Sequence, residues 1–229
     1  VAIGYQALRG FTTGHENTVM GYQAAYSLTS ADNNVIIGYQ TGYSLTTARY
    51  NVLIGDQAGY SLSTSSDSNE NVMIGNSAGR NADAATNAAH YNVYIGSGAG
   101  YYMDDGDSNV YIGREAGKGS GTDNNATVNV LIGYQAGLNI STADANVAIG
   151  YQVLGGATGS ALTGGGTTAV GYQAAGYIDA GSGNGTYIGY AAGLHDINGG
   201  NIAIGYNSMR TASGSAMVKN IAIGSESQY

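Results

Sequence analysis

A glycine recurs along the whole 229-residue chain at intervals of 16 to 21 residues, inside copies of the motif Asn-Val-x-Ile-Gly-Tyr-Gln-Ala-Gly. We call these residues anchor glycines and number the other positions of each repeat from them. The 13 anchor glycines are Gly4, Gly21, Gly38, Gly55, Gly75, Gly96, Gly113, Gly133, Gly150, Gly171, Gly189, Gly205 and Gly224. Self-similarity at a short period is typical of stacked repeat proteins. The sequence therefore predicts one continuous array over residues 1–229, as a segment of a longer protein.

The residues before each anchor glycine indicate a β-strand. Position −1 is Ile in 11 repeats and position −3 is Val in eight, so β-branched residues alternate along this segment. The glycine ends the strand because it adopts turn conformations closed to other residues. A second short strand is predicted near position +7, as in residues 43–46. Differences in repeat length fall between positions +8 and −5, which predicts loops on one edge of an all-β parallel solenoid of about 13 rungs.

Three further positions predict columns of identical side chains along the stack. Position −4 is mostly Asn, which suits a turn and would form a ladder of side-chain amides in register. Position +2 is Gln in seven repeats, and position +1 is Tyr in eight. The tyrosines are Tyr5, Tyr22, Tyr39, Tyr134, Tyr151, Tyr172, Tyr190 and Tyr206. Aromatic stacking along the rod explains this Tyr column, and a ridge that contacts a receptor is the second interpretation.

Position −2 lies between the two β-branched positions, and none of its 13 residues is charged. Its side chain points away from those of positions −3 and −1, so we expect it to face outward. A sheet that is apolar on both faces is buried on both faces. The expected cover is other copies of the chain, and another segment of the parent protein is the alternative. The predicted oligomer interface comprises Val19, Ile36, Leu53, Met73, Tyr94, Tyr111, Leu131 and Tyr187.

The composition excludes several classes of function. The chain has no cysteine, which removes thiol catalysis and the common zinc sites. Seven Lys and Arg residues stand against 15 Asp and Glu, for a net charge of −8, and no basic cluster offers a nucleic-acid surface. No apolar run reaches the ~20 residues needed to span a bilayer, so we expect no membrane insertion by this segment.

Candidate chemistry is weak throughout the chain. The motif Ile-Gly-Tyr-Gln-Ala-Gly matches one hexapeptide of left-handed β-helix acyltransferases, but Tyr43 and Arg49 occupy places where that fold needs aliphatic residues. Residues 104–109 are acidic but lack the order of a calcium loop. His15, His90 and His195 fall in different repeats. We therefore predict no enzyme activity, no cofactor and no metal site, and expect recognition in the long loops 81–91 and 119–127.

The repeat resembles a known family. Residues 146–152, Asn-Val-Ala-Ile-Gly-Tyr-Gln, and residues 201–205, Asn-Ile-Ala-Ile-Gly, are similar to the head repeat of YadA-type trimeric autotransporter adhesins. This resemblance implies a left-handed parallel β-roll, three of which pack side by side as a homotrimer. The rungs here are longer than those of the family. The extension Gly-Tyr-Gln-Ala-Gly is also typical of long fibre proteins of tailed phages and environmental bacteria.

The resemblance implies an extracellular structural and attachment fibre, on a virion or a bacterial surface. Its expected partners are itself, as a homotrimer, and a cell-surface glycan or protein receptor. A phage tail fibre is the first interpretation, and a bacterial trimeric autotransporter adhesin or another surface filament is the alternative. An ice-binding solenoid is a third. It needs a regular Thr ridge, and we expect Thr12-Thr13 and Thr46-Thr47 not to recur in register.

Overall fold

The chain folds as a parallel β-solenoid. The computed structural model describes residues 1–62, 68–81, 89–121, 124–156, 161–178, 181, 183–196, 199–210 and 219–227, and no helix occurs among them. The principal sheet has 13 strands in sequential order, one at each anchor glycine. They are β1 (Ala2–Ile3), β2 (Thr18–Met20), β4 (Val35–Ile37), β6 (Val52–Ile54), β8 (Val72–Ile74), β9 (Val93–Ile95), β10 (Val110–Ile112), β11 (Val130–Ile132), β12 (Val147–Tyr151), β13 (Thr168–Tyr172), β14 (Thr186–Ile188), β15 (Ile202–Ile204) and β16 (Ile221–Ile223).

Each strand pairs in parallel with the next, and every residue lies beside the same repeat position of its neighbour. Tyr111 pairs with Tyr94 on one side and with Leu131 on the other, although these residues lie 17 and 20 positions away. Differences in repeat length are therefore absorbed outside the strands, as the sequence predicts. Identical positions form columns that run the length of the solenoid.

The solenoid contains a second, smaller sheet. It consists of β3 (Ser30–Asp32), β5 (Thr47–Arg49) and β7 (Ser68–Asn69), again in parallel. The predicted strand at residues 43–46 is therefore wrong in its position. The chain turns through left-handed conformations at Gln40 and Gly42 before it becomes extended again, and Leu45 reaches the interior from the turn.

The two faces of the principal sheet are the reverse of those predicted. Position −2 forms the solenoid interior, and each of the eight residues predicted as an oligomer interface is at most 1% exposed within one chain: Val19, Ile36, Leu53, Met73, Tyr94, Tyr111, Leu131 and Tyr187. Residues with no accessible surface cannot form an interface between copies, so that assignment is wrong. Both faces of these strands are apolar, so alternation alone does not decide which one the chain encloses.

The anchor glycines permit the close stacking of the rungs. Their φ angles lie between 121° and 140°, a region that side-chain-bearing residues rarely adopt. A Cβ atom on Gly75 would lie 2.7 Å from the carbonyl oxygen of Gly96 in the next rung. Both the backbone conformation and the space therefore require glycine at this position.

Interior volume is balanced between positions −2 and +4 of the same rung. Position +4 is glycine wherever position −2 is Ile, Leu, Met or Tyr, and a Cβ on Gly100 would lie 2.7 Å from Cδ2 of Tyr94. Where position −2 is alanine or valine, position +4 carries a side chain. The pairs with glycine are Ile36/Gly42, Leu53/Gly59, Met73/Gly79, Tyr94/Gly100, Tyr111/Gly117, Leu131/Gly137 and Tyr187/Gly193, and those with alanine are Ala2/Leu8, Ala148/Leu154, Ala169/Ala175 and Ala203/Met209.

The predicted Asn ladder is confirmed. From Asn17 to Asn129, the Oδ1 of each Asn in this column accepts hydrogen bonds from the backbone N and the Nδ2 of the Asn in the next rung. For Asn71 the donors are both on Asn92, at 3.1 and 3.3 Å. Asn92 Nδ2 also donates to the carbonyl oxygen of Gly106 at 2.8 Å. The unbroken run comprises Asn17, Asn34, Asn51, Asn71, Asn92, Asn109, Asn129 and Asn146.

Candidate interaction surface

The outward side of the principal sheet forms a regular surface over 13 strands. It combines positions −3, −1 and +1, which share one side of the strands. In β12, Val147, Ile149 and Tyr151 point outward, whereas Ala148 between them is buried. We call the surface formed by these three columns the outer face.

Two of the three columns of the outer face are apolar, apart from three threonines. Position −1 is Ile, Met or Val throughout, and position −3 is Val or Ile except at Thr18, Thr168 and Thr186. These side chains are half-buried by their neighbours and remain accessible to a partner, with Ile149 39% exposed and Ile188 40% exposed. A soluble chain rarely leaves an apolar stripe of this length uncovered.

The third column of the outer face contains the predicted Tyr ridge, and its predicted stacking is confirmed. The rings form two stacks, with centroids 4.9 to 5.3 Å apart. The members are Tyr5, Tyr22 and Tyr39 in the first stack, and Tyr134, Tyr151, Tyr172, Tyr190 and Tyr206 in the second. Because neighbouring rings cover each other, the ridge presents ring edges and hydroxyl groups rather than ring faces.

A polar band of four rungs separates the two Tyr stacks. Position +1 is there occupied by Asp56, Asn76, Ser97 and Arg114, all exposed. The guanidinium of Arg114 lies 5.7 Å from the ring centroid of Tyr134, so it covers the end of the second stack by a cation–π contact. The band places both signs of charge in the middle of an otherwise uncharged surface.

The predicted Gln ladder is also confirmed, and it divides in two beside the Tyr stacks. In each part the Nε2 of one Gln donates to the Oε1 of the Gln in the preceding rung, at 2.8 to 3.1 Å. The first ladder comprises Gln6, Gln23, Gln40 and Gln57, and the second comprises Gln135, Gln152 and Gln173. Aligned amides of this kind strengthen one another.

Charged side chains hold one end of each Gln ladder. Arg80 Nε donates to Gln57 Oε1 at 2.9 Å, and Gln135 Nε2 donates to Glu115 Oε2 at 2.8 Å. The hydrogen bond from Gln135 is the main reason that the pKa of Glu115 is lowered, and the hydrogen bond from Lys118 adds to it. Because the carboxylate is partly exposed, we attach no large stability to this interaction.

Position +5 carries a mixed column of cations and aromatic rings that the sequence analysis missed. Tyr26, Tyr43 and Tyr60 stack with centroids 4.9 and 5.1 Å apart. Arg80 lies over the rings of Tyr60 and Tyr101, at 5.4 and 5.7 Å from their centroids. Arg9 and Lys118 continue the column at its two ends. Aligning position +5 across the repeats would have found it, since every residue there from Arg9 to Lys118 is Arg, Lys or Tyr.

The acidic segment at residues 104–109 acts on the backbone of neighbouring rungs. Asp107 Oδ1 accepts a hydrogen bond from the backbone N of His90 at 2.7 Å, and Asp104 Oδ2 accepts one from that of Asn124 at 3.2 Å. In the described part of the chain, no group of three or more His, Cys, Asp or Glu side chains is placed to hold a metal ion. Of the predicted recognition loops, residues 82–88 and 122–123 lie outside the described residues.

The expectation that the Thr pairs do not recur in register is wrong over three rungs. Thr12 Oγ1 donates to the carbonyl oxygen of Thr29, and Thr29 Oγ1 to that of Thr46, each at 2.8 Å. These threonines lie 17 residues apart, at position +8 of three consecutive repeats of equal length, so the alignment was present in the sequence. The hydroxyl groups of Thr12 and Thr29 donate their protons to backbone carbonyls of the next rung. They are therefore not free to donate to a ligand at the surface.

Three tyrosines lie inside the solenoid. Burial raises the pKa of Tyr94 and of Tyr111 well above the ordinary value of a tyrosine. Burial also raises the pKa of Tyr187, whose hydroxyl donates to Asp196 Oδ2 at 2.6 Å. All three are large residues of position −2, opposite glycine at position +4, so they fill the core rather than form a reactive site.

Comparisons with known proteins give no family for this chain. No protein-family model, curated protein or solved structure matches it. Among the residues that the structure describes, there is no helix long and apolar enough to cross a membrane.

Proposed function

We propose that this chain is a structural segment of an extracellular attachment fibre, in which copies of the chain cover one another's outer faces. The observation that carries the proposal is the continuous Val and Ile surface of the 13-stranded sheet, half-exposed on a single chain. A sheet with two apolar faces is normally buried on both. Here position −2 fills the interior, so the face that needs a cover is the one formed by positions −3 and −1.

The size of the outer face suits an interface between copies. Thirteen strands at the usual spacing give a length of roughly 60 Å, and five extended residues give a width of about 15 Å. The resulting area is about 900 Å², close to the ~800 Å² that each partner contributes to a standard protein interface. Closed symmetry is the simplest way to cover such a surface with identical chains.

The resemblance to YadA-type heads favours three copies and a left-handed coil. A trimeric rod would hold receptor-binding regions away from a particle or a cell, and repeated weak contacts on three chains would supply avidity. The cell-surface receptor is a glycan or a protein. A tailed-phage fibre and a bacterial trimeric adhesin would use the same rod, and we favour the phage fibre because of the Gly-Tyr-Gln-Ala-Gly extension.

Particle mass tests the assembly. We expect the chain to sediment at three times its mass of 23.1 kDa. The double variant Ile37→Asp with Ile54→Asp should sediment as a single chain, because each carboxylate would be buried without a partner in the interface. Analytical ultracentrifugation over a range of concentrations measures both.

The double variant Tyr50→Asp with Val128→Asp is the matched control. Both residues are exposed, at 58% and 60%, and both lie at position −5, away from the outer face. This control adds the same charge and should keep the parent mass. A parent chain that sediments as a monomer at every concentration would refute the proposal.

A further inference from the structure

The two Gln ladders of this chain differ in what lies beside them. The first is flanked by the column at position +5, where Arg80 bonds directly to Gln57 and Tyr43 and Tyr60 stack in adjacent rungs. Beside the second ladder, position +5 is Leu138 in the rung of Gln135 and glycine in the next two rungs, Gly155 and Gly176, where the column has no side chains. The second ladder is therefore open on a side where the first is covered.

The opening forms a cleft with a cavity volume of about 60 Å³. Its lining residues are Gln135, Leu138, Gln152, Gly155, Gly156, Gln173, Gly176 and Tyr177. A side chain at Gly155 would close the cleft and would also clash with the backbone of the next rung. A Cβ on Gly155 would lie 2.6 Å from the carbonyl oxygen of Gly176. The volume corresponds to roughly four water molecules, so the cleft can take one edge of a small polar ring.

The chemistry of the lining defines the ligand. Gln135 and Gln152 each use one N–H and one oxygen lone pair in the ladder, and Gln173 uses one N–H, so each amide keeps a second donor and at least one acceptor position. Tyr177 adds an aromatic ring that is 39% exposed and stacks on His195 at 5.2 Å. None of the eight lining residues is charged. A neutral ligand with adjacent hydroxyl groups and an apolar ring edge fits this lining, whereas a phosphate or a carboxylate does not.

We infer that this cleft binds a neutral hexopyranose unit of a glycan. Amides pair in a bidentate manner with vicinal hydroxyls, and an aromatic ring packs against the C–H groups of a sugar. The amides of Gln135, Gln152 and Gln173 follow one another at the rung spacing, so an extended oligosaccharide lies along the rod. The inference rests on the proposed attachment function, for which it assigns the receptor class and the place of contact.

Isothermal titration calorimetry with uncharged hexasaccharides tests the cleft. The probes are cellohexaose, maltohexaose, chitohexaose and mannohexaose, each titrated into the intact chain. We expect at least one to bind with a Kd in the millimolar range or below. Gln152→Leu should weaken that binding about tenfold, as expected for the loss of one or two hydrogen bonds to the sugar. Tyr177→Ala should weaken it as well.

Gln40→Leu is the matched control. Gln40 lies in the middle of the covered ladder as Gln152 lies in the middle of the open one, so both changes break one ladder in the same way. Gln40→Leu should leave the Kd within about twofold of the parent, since it removes no group from the cleft.

Two outcomes would overturn the inference: no heat of binding from any of the four hexasaccharides at about 10 mM, or equal weakening by Gln152→Leu and Gln40→Leu. Sedimentation of the same samples separates this failure from that of the assembly. If the chain is a trimer and binds no hexasaccharide, glycan binding by the cleft is refuted and the proposed fibre is not. If the chain is a monomer, the proposed fibre is refuted whether or not the cleft binds a sugar.

Discussion

At the scale of single residues, the solenoid is governed by volume inside each rung. Tyr111 and Gly117 occupy the space that Ala148 and Leu154 fill two rungs later. Backbone conformation does not force the choice, because Leu154 has a φ of 53° and Gly117 a φ of 59°. The residues at positions −2 and +4 of a rung are therefore constrained together, by the volume that they share in the interior.

A double-mutant cycle tests this pairing. Gly117→Leu should overlap the Tyr111 ring, and Tyr111→Ala should leave a cavity, each with a loss of about 3 kcal/mol in the free energy of unfolding. The double variant reproduces the Ala148/Leu154 pair, so its loss should be smaller than the sum by at least ~2 kcal/mol. Urea denaturation of the four proteins measures these values, and simple additivity would contradict the pairing.

The buried tyrosines predict a loss of stability at alkaline pH. Above pH ~10 the unfolded chain releases tyrosine protons, while Tyr94 and Tyr111 keep theirs because burial raises their pKa. The folded state then binds more protons than the unfolded state, so the free energy of unfolding falls as the pH rises, by about 1.4 kcal/mol per pH unit for each group. Below pH ~10 the contribution of these groups is fully present.

The double variant Tyr94→Phe with Tyr111→Phe should lose stability less steeply between about pH 10 and pH 11.5. Urea titrations at several pH values give the slope. Tyr50→Phe with Tyr91→Phe is the control, because both side chains lie at position −5, away from the outer face, and are 58% and 57% exposed, and it should keep the parent slope. Equal slopes in all three proteins would show that the buried hydroxyls do not govern the alkaline response.

At the scale of the rung, turns are held by side chains that hydrogen-bond across rungs. The Asn ladder satisfies buried backbone donors that the turn leaves without partners, such as the backbone N of Asn109, 3.0 Å from Asn92 Oδ1. Each amide forms hydrogen bonds with the Asn of a neighbouring rung. The conformation of each turn therefore depends on the stacking of the rungs beside it.

Removal of one amide from the middle of the ladder should be costly. Asn92→Ala leaves two donors of Asn109 without their acceptor in a buried place, and we expect a loss of about 2–4 kcal/mol in the free energy of unfolding. Asn220→Ala, at a partly buried rung, should cost about 1 kcal/mol. Chemical denaturation measures both, and equal small losses would mean that the ladder contributes little.

The sequence predicted the elements of this solenoid better than their orientation. The anchor glycines and the Asn, Gln and Tyr columns follow from local turn and stacking chemistry, and the structure shows all of them. The inward position of Ile36 was missed because both faces of the strand are apolar. Alternation of side chains along the strand then does not show which face is buried. The complementarity between positions −2 and +4, as in Tyr187 and Gly193, was present in the sequence and identifies the interior.

The second strand and the cleft were harder to predict. The strand Thr47–Arg49 follows a turn whose left-handed residues are not glycine alone, so its start could not be read from composition. The cleft depends on two glycines, Gly155 and Gly176, lying beside a column of amides from other parts of the repeat. Only the register of stacked rungs brings these positions together.

At the scale of the whole molecule, the stack is a rod whose strands run across its axis. Register is strict over all 13 strands of the principal sheet, and neighbouring rings repeat at 4.9 to 5.3 Å. The outer face adds an apolar side along the full length of that rod. The regular stacking and the apolar side of the rod thus come from the same sheet.

Fibre diffraction from aligned films should show the strand spacing along the rod axis. We expect a meridional reflection at about 4.8 Å, because every rung contributes one strand at the same separation. A film of the chain dried from concentrated denaturant is the control and should give only a diffuse ring. A reflection on the equator instead would mean that the strands lie parallel to the rod.

The balance of volume within each rung bears on how such a protein grows over evolutionary time. A tandem duplication that copies a full period brings both members of an interior pair, such as Leu131 with Gly137. The inserted unit would leave neither a void nor a collision above or below it. Recombination can therefore lengthen or shorten the rod by whole repeats, without new mutations to repair the core.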